Sequence, residues 1–259
     1  MEWSAPSGTD TLGRLGVLVP SSNTSVEAEL REVVPRAVSV HVGRLPLTRI
    51  AESSIARILS ELESESRKLA TAGVDLILLG ATAPSFLKGV GYDREVSARI
   101  EAATGKPATT TSTAMLEALA ALGARRVSLG AAYDDEVNAI AAAFLEANGH
   151  PVACARGLGY VDNLAVGRLP VETAFDLGRE VDHPDAECIV LACTNWLSMA
   201  AIAPLEAALG KPVISTTQAS IWACLRRLGY TAPISGYGRL LEAYLGEGEV
   251  APARAGARV

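Results

Sequence analysis

The sequence predicts an α/β protein of two pseudo-symmetric lobes, each a mostly parallel sheet flanked by helices, with the active site in the cleft between them. Three observations predict it. Short runs rich in Val, Ile and Leu alternate with longer amphipathic segments, the pattern of parallel strands joined by crossover helices. The short runs are apolar almost without a break, as in strands covered on both faces. One stretch of the chain also occurs twice: "GKPATTTSTAMLEALAALG" (Gly105–Gly123) resembles "GKPVISTTQASIWACLRRLG" (Gly210–Gly229). Upstream of each copy lies another matching pair, "LILLGAT" (Leu76–Thr82) and "CIVLACT" (Cys188–Thr194). Two matches in the same order point to a duplicated unit.

The elements follow in order. Leu15–Pro20 reads as the first strand, and "VPSSNTSVEAEL" (Val19–Leu30) carries it into a helix. A Ser or Thr is expected to cap that helix, with Glu27 in its first turn. The same polar cluster also suits a carboxylate, held by side-chain donors at a helix N-terminus. Val38–Leu45 is the next strand. "IARILSELESESRKLATAG" (Ile55–Gly73) is a helix whose "SELESES" run is a solvated face. Asp75–Gly80 and Ala108–Thr110 are strands, the latter followed by a helix ending near Gly123. Arg126–Gly130 leads through Tyr133 into the helix "DDEVNAIAAAFLEANG" (Asp134–Gly149). Val152–Leu158, Glu187–Ala192 and Val213–Ser215 are the remaining strands, and a last helix runs to Gly229. Gly73, Gly123, Gly149 and Gly229 sit where helix C-caps are expected. The predicted division is residues 13–112 plus 218–246 for the first lobe and 113–217 for the second. Residues 1–12 and 247–259 are expected to be flexible termini.

Composition excludes several functions. The 259 residues are 49% hydrophobic and 20% charged, ordinary for a globular protein with a large core. A formal charge of −6 and scattered basic residues argue against nucleic acid. No apolar stretch reaches the roughly 18 residues of a membrane helix. The N-terminus "MEWSAPSGTDTLGR" shows no signal-peptide pattern. The cysteines Cys154, Cys188, Cys193 and Cys224 lack paired spacing and read as free thiols in a reducing cytoplasm. His41, His150 and His183 are far apart in sequence, so neither a protein-bound metal nor a histidine-based triad is expected. Neither Gly-Lys-Pro is a phosphate loop, and "GLGYVDN" lacks the third glycine of a dinucleotide fingerprint. No cofactor is expected.

Ligands of open α/β sheets bind outside the carboxyl ends of the strands, which directs attention to the strand-end loops. Cys193 ends an apolar strand and is followed by Thr194 and Asn195. Buried cysteine is common, so alone Cys193 reads as core. At a strand end it is also a candidate acid, base or nucleophile. The other three cysteines read as core. The repeat pairs Cys193 with Ala81, so one half carries a thiol and the other does not. Thr82 follows Ala81 among small residues that admit a ligand to the backbone. Tyr133 stands at another strand end, where its phenol could donate to an oxyanion or simply pack.

In this order, "VPSSNT", "GATAPSF" (Gly80–Phe86), "STAMLEAL" (Ser112–Leu119), "AAYDDEVN" (Ala131–Asn138), "DNLAVGR" (Asp162–Arg168), "ACTNW" (Ala192–Trp196) and "SGYGRL" (Ser235–Leu240) resemble the aspartate/glutamate racemase superfamily. The nearer likeness is to its branch of arylmalonate decarboxylases and maleate cis-trans isomerases, from about Arg14 to Leu240. The resemblance implies a cofactor-independent enzyme with two lobes and one cleft. Family members with a thiol on each lobe racemise or isomerise, and the decarboxylase keeps only the second. Ala81 with Cys193 is similar to the decarboxylase pattern. It implies that Cys193 protonates the carbanion left by an α-substituted malonate. Thr82, Tyr133 and backbone amides near Ala83 and Thr194 would hold one carboxylate, and Leu47 and Ile50 would face the departing one. Ala83 replaces a hydroxyl of the decarboxylase, and Pro84 departs from its loop. "VPSSNT" and "DNLAVGR" look more like maleate isomerase, implying that Asn23 and Asn163 bind carboxylate. An isomerase of a small unsaturated diacid and a non-catalytic carboxylate-binding protein both stay open. The expected partner is a small mono- or dicarboxylate, and the chain is a monomer or small homo-oligomer.

Overall fold

The computed structural model describes residues 12–50 and 52–246. The expectations for residues 1–11 and 247–259 lie outside the described residues. Among these residues no helix is long and apolar enough to cross a membrane.

Eight strands form two sheets. The first holds β1 (Gly13–Pro20), β2 (Val38–Leu45), β3 (Leu76–Leu79) and β4 (Ala108–Thr110) in the order β2-β1-β3-β4. The second holds β5 (Val127–Tyr133), β6 (Val152–Tyr160), β7 (Cys188–Ala192) and β8 (Val213–Ser215) in the order β6-β5-β7-β8. All the pairings are parallel. The two sheets therefore share one order, which is the duplication seen in the sequence. Small details repeat as well: Ile77 N–H donates to the Pro107 carbonyl at 2.9 Å, and Ile189 N–H to the Pro212 carbonyl at 3.0 Å. Each proline belongs to a Gly-Lys-Pro copy. It delivers the chain to the edge strand without an N–H of its own to satisfy.

The helices of the first half are α1 (Val26–Val33), α2 (Glu52–Ala70), α3 (Thr82–Phe86), α4 (Tyr92–Thr104) and α5 (Thr111–Ala121). Those of the second are α6 (Asp135–Ala147), α7 (Asn163–Val166), α8 (Val171–Glu180), α9 (Met199–Leu209), α10 (Thr216–Arg227) and α11 (Arg239–Ala243). The predicted cuts after residues 112 and 217 fall inside α5 and α10. We propose the ends of β4 and β8 instead, which leaves both helices whole.

Strand alternation assigns the core. Leu15, Val17 and Val19 of β1, with Leu76 and Leu78 of β3, face a core continuous with the second lobe. Leu18, Ile77 and Leu79 face the opposite way, onto Ile58 and Leu62 of α2 and Val96 and Ile100 of α4. Gly16 lets α2 close on the sheet, because a Cβ there would lie 2.9 Å from Leu69 Cδ2. Of the cysteines assigned to the core, Cys188 and Cys224 are fully buried. Cys154 is only half-buried, since it lies on β6 at a sheet edge.

Candidate functional site

The strands β1 and β3, and likewise β5 and β7, are neighbours whose connections leave in opposite directions. Crevices at such points, outside the carboxyl ends of the strands, receive ligands. Here the two crevices face each other, and one cavity of about 20 Å³ lies between them. Pro20 ends β1, Leu47 and Ile50 follow β2, and Ala81 to Pro84 follow β3. From the other lobe come Tyr133 at the end of β5, Asn163 after β6, and Cys193 with Thr194 after β7. Leu87 completes the lining, which holds no charged side chain.

Cys193 and Ala81 both line this cavity from their matching positions. Burial pushes the Cys193 thiol up to about 12, although the Asn195 N–H and the Tyr133 hydroxyl favour the thiolate. The thiol is therefore protonated at neutral pH. Burial also raises Tyr133 well above the usual phenol range. The Tyr133 ring is seated edge-on against Phe86, with centroids 6.2 Å apart. The Ala83 N–H lies in the first turn of α3, where amides have no intrahelical acceptor. The Thr194 hydroxyl donates across the lobes to the Gly80 carbonyl at 3.1 Å.

The strand-end loops hold one another. Ile50 N–H donates to the Val161 carbonyl at 2.8 Å, and Asn163 N–H to the Thr48 carbonyl at 3.1 Å. The Asn163 side-chain amide donates to Ser22 Oγ at 2.8 Å, and that hydroxyl donates to the Leu47 carbonyl. Asn195 is the hub: its Oδ1 accepts the Thr24 N–H at 2.7 Å, and its amide donates to the Asn163 and Ser22 carbonyls. Gly167 permits the crossing, because a Cβ there would sit 2.2 Å from Thr24 Oγ1.

The cap of α1 differs from the one expected. Ser25 stands at the N-cap and makes no capping bond with its side chain. Asn23 Oδ1 accepts the Ser25 and Val26 N–H groups instead, both at 3.0 Å. Two residues upstream, the longer asparagine side chain reaches both donors and no serine or threonine is needed. That oxygen is thereby spent on the helix. Its Nδ2 lies 3.5 Å from Thr194 Oγ1. Asn23 is absent from the cavity lining, so of the two predicted asparagines only Asn163 reaches it.

Sequence reading did not single out Glu29 or Asn195. Glu29 Oε1 accepts the Ser198 and Met199 N–H groups at 2.9 and 3.0 Å, joining α1 to the start of α9. Burial raises its carboxyl to about 7 from 4.5. A folded-state value above the unfolded one means the folded protein binds the proton more tightly. The stabilisation is complete below pH 4.5 and is lost as pH rises through 7. At about 1.4 kcal/mol per unit, wild type loses about 3 kcal/mol over that window relative to Glu29→Gln. Urea unfolding of both proteins at pH 4.5 and 8 reads this; parallel curves would contradict it.

A second cavity of about 140 Å³ shares Leu47 and is bounded by Ser21, Pro46, Thr48, Ser54 and Arg57.

Comparison with known proteins shows which chains share this fold. The family model described as arylmalonate decarboxylase matches residues 15–241. The arylmalonate decarboxylase of Bordetella bronchiseptica is 34% identical over 232 residues, covering 88% of this chain and 96% of that protein. A structure of a mutant maleate isomerase Iso from Pseudomonas putida S16 with maleate superposes with a TM-score of 0.86 at 28% identity, over 91% of this chain and 99% of that one. A mutant Nocardia farcinica maleate cis-trans isomerase with a covalently bound succinylcysteine intermediate gives 0.86 at 27% identity, over 89% and 98%.

Proposed function

The chain belongs to the arylmalonate decarboxylase family, and from that premise we propose that it is a cofactor-independent decarboxylase of an α-substituted malonate or related diacid. The observation that carries this reading is the asymmetry of the cavity: a neutral thiol at Cys193 and a methyl group at the matching Ala81.

In this reading Thr82, Tyr133 and the Ala83 and Thr194 amides hold one carboxylate. The other carboxylate meets Leu47 and Ile50, where it loses hydration and gains no partner. The bond from the α-carbon to that carboxylate breaks, carbon dioxide leaves, and the electron pair becomes an enediolate on the held carboxylate. The Cys193 thiol gives its proton to the α-carbon. The resulting thiolate takes a proton from solvent before the next turnover. One acid on one face yields one enantiomer. A cavity of about 20 Å³ holds little more than one water, so productive binding requires the lining to move outward. The free cysteines suit a reducing cytoplasm.

A second reading, isomerisation of a small unsaturated dicarboxylate through Cys193, draws on Asn163 in the lining and on the likeness to maleate isomerase. Covalent addition needs a thiolate, and burial disfavours one here. Incubation with phenylmalonate or maleate in the presence of a chelator separates the two. Carbon dioxide from phenylmalonate is the expected result; fumarate from maleate with no carbon dioxide across a malonate panel would reverse the assignment.

A further inference from the structure

We propose that Thr216 is a positioning residue for this reaction, a hydroxyl behind the cavity that fixes the proton donor and the carboxylate-holding threonine relative to each other. Thr216 opens α10, is fully buried, and is absent from the cavity lining. Its Oγ1 accepts the Cys193 N–H at 3.2 Å and the Thr82 hydroxyl at 3.2 Å. Cys193 follows β7 in one sheet and Thr82 follows β3 in the other. One oxygen atom thus ties together residues that approach the cavity from different lobes.

A hydroxyl is needed at this place for two reasons. The Cys193 N–H is buried, and without an acceptor it would be left unsatisfied. Thr82 also has only one proton to donate. Without ligand, that proton points at Thr216. When a carboxylate takes it, the Thr216 hydroxyl can turn and donate to Thr82 Oγ1, so the link survives the switch with its direction reversed. A valine of the same shape can do neither. The inference rests on the roles proposed above for Cys193 and Thr82.

The duplication supplies an internal control. Thr111 occupies the matching position in the first copy, is equally buried, and opens α5. Its hydroxyl donates to the Leu79 carbonyl at 3.1 Å and accepts from Ser220 Oγ at 3.2 Å. It bonds neither Cys193 nor Thr82. Thr111→Val and Thr216→Val therefore remove similar buried bonds from similar places, and only one of them touches the proposed chemistry.

The test compares Thr216→Val, Thr216→Ser and Thr111→Val in the full chain. Both valine variants should lose similar thermal stability. Thr216→Val should lower kcat on a malonate substrate by about 10- to 100-fold. Thr216→Ser and Thr111→Val should stay within about threefold of wild type. Equal losses of kcat in the two valine variants, or full turnover by Thr216→Val, would overturn the proposal. Amide hydrogen exchange at Cys193 gives a readout independent of turnover. It should speed up at least about tenfold in Thr216→Val beyond any change in Thr111→Val; equal exchange in the two variants would overturn the proposal. If wild type decarboxylates no malonate, the functional reading fails while the exchange result still decides the positioning claim.

Discussion

Cys193→Ser should lower kcat for decarboxylation of phenylmalonate by at least about 10³-fold, with KM changed less than about threefold. Serine fills the space of cysteine, so the buried site keeps its shape. Its hydroxyl is a far weaker acid than the thiol. The enediolate then has no positioned donor and returns to substrate by recapturing carbon dioxide. With α-methyl-α-phenylmalonate, what product does form takes its proton from water and loses its handedness. The contrast with wild type is sharp because the thiol is fully protonated under assay conditions, with its value near 12. Steady-state kinetics in a pH-stat provide the measurement. A serine variant that kept full turnover would remove Cys193 from the mechanism.

Ala81→Cys should convert a stereospecific enzyme into one that racemises its product. Ala81 lines the cavity from the position that matches Cys193, in the opposite lobe. A thiol there places a second acid on the other face of the α-carbon. The thiolate left at Cys193 after it has given up its proton can retake one from the α-carbon while the new thiol delivers its own from the opposite side, leaving a thiolate there. With α-methyl-α-phenylmalonate as substrate, the acid formed should begin as one enantiomer and drift toward the racemate. Chiral chromatography of timed samples follows the drift. A product that stays enantiopure would mean that the two positions do not address opposite faces.

Much of this arrangement was legible in the sequence, for reasons that are physical. The central strands were visible because parallel strands buried on both faces are runs of Val, Ile and Leu, as in Leu76–Leu79 and Cys188–Ala192. The duplication was visible because both copies keep the same turn and cap residues around Gly-Lys-Pro. Strand ends then pointed to Ala81, Tyr133 and Cys193, which share one cavity. What stayed hidden are contacts made at long sequence separation. Asn195 bonds Thr24 across 171 residues, and Glu29 bonds Met199 across 170; no local pattern announces either. Asn23 was legible only in part, because one side chain has two uses there: its place suits a ligand, and its oxygen caps the helix. Thr216 lay in plain view inside the repeat. Only its bonds to Cys193 and Thr82 distinguish it from Thr111.

In the proposed mechanism one thiol delivers one proton to one face of a decarboxylated carbon. Its most direct test is wild-type turnover of α-methyl-α-phenylmalonate in deuterium oxide, with chelator present and no added cofactor. Carbon dioxide and a monoacid carrying one deuterium at the α-carbon, as a single enantiomer, are expected. A racemic monoacid, or no carbon dioxide from a protein that converts maleate to fumarate, would contradict it.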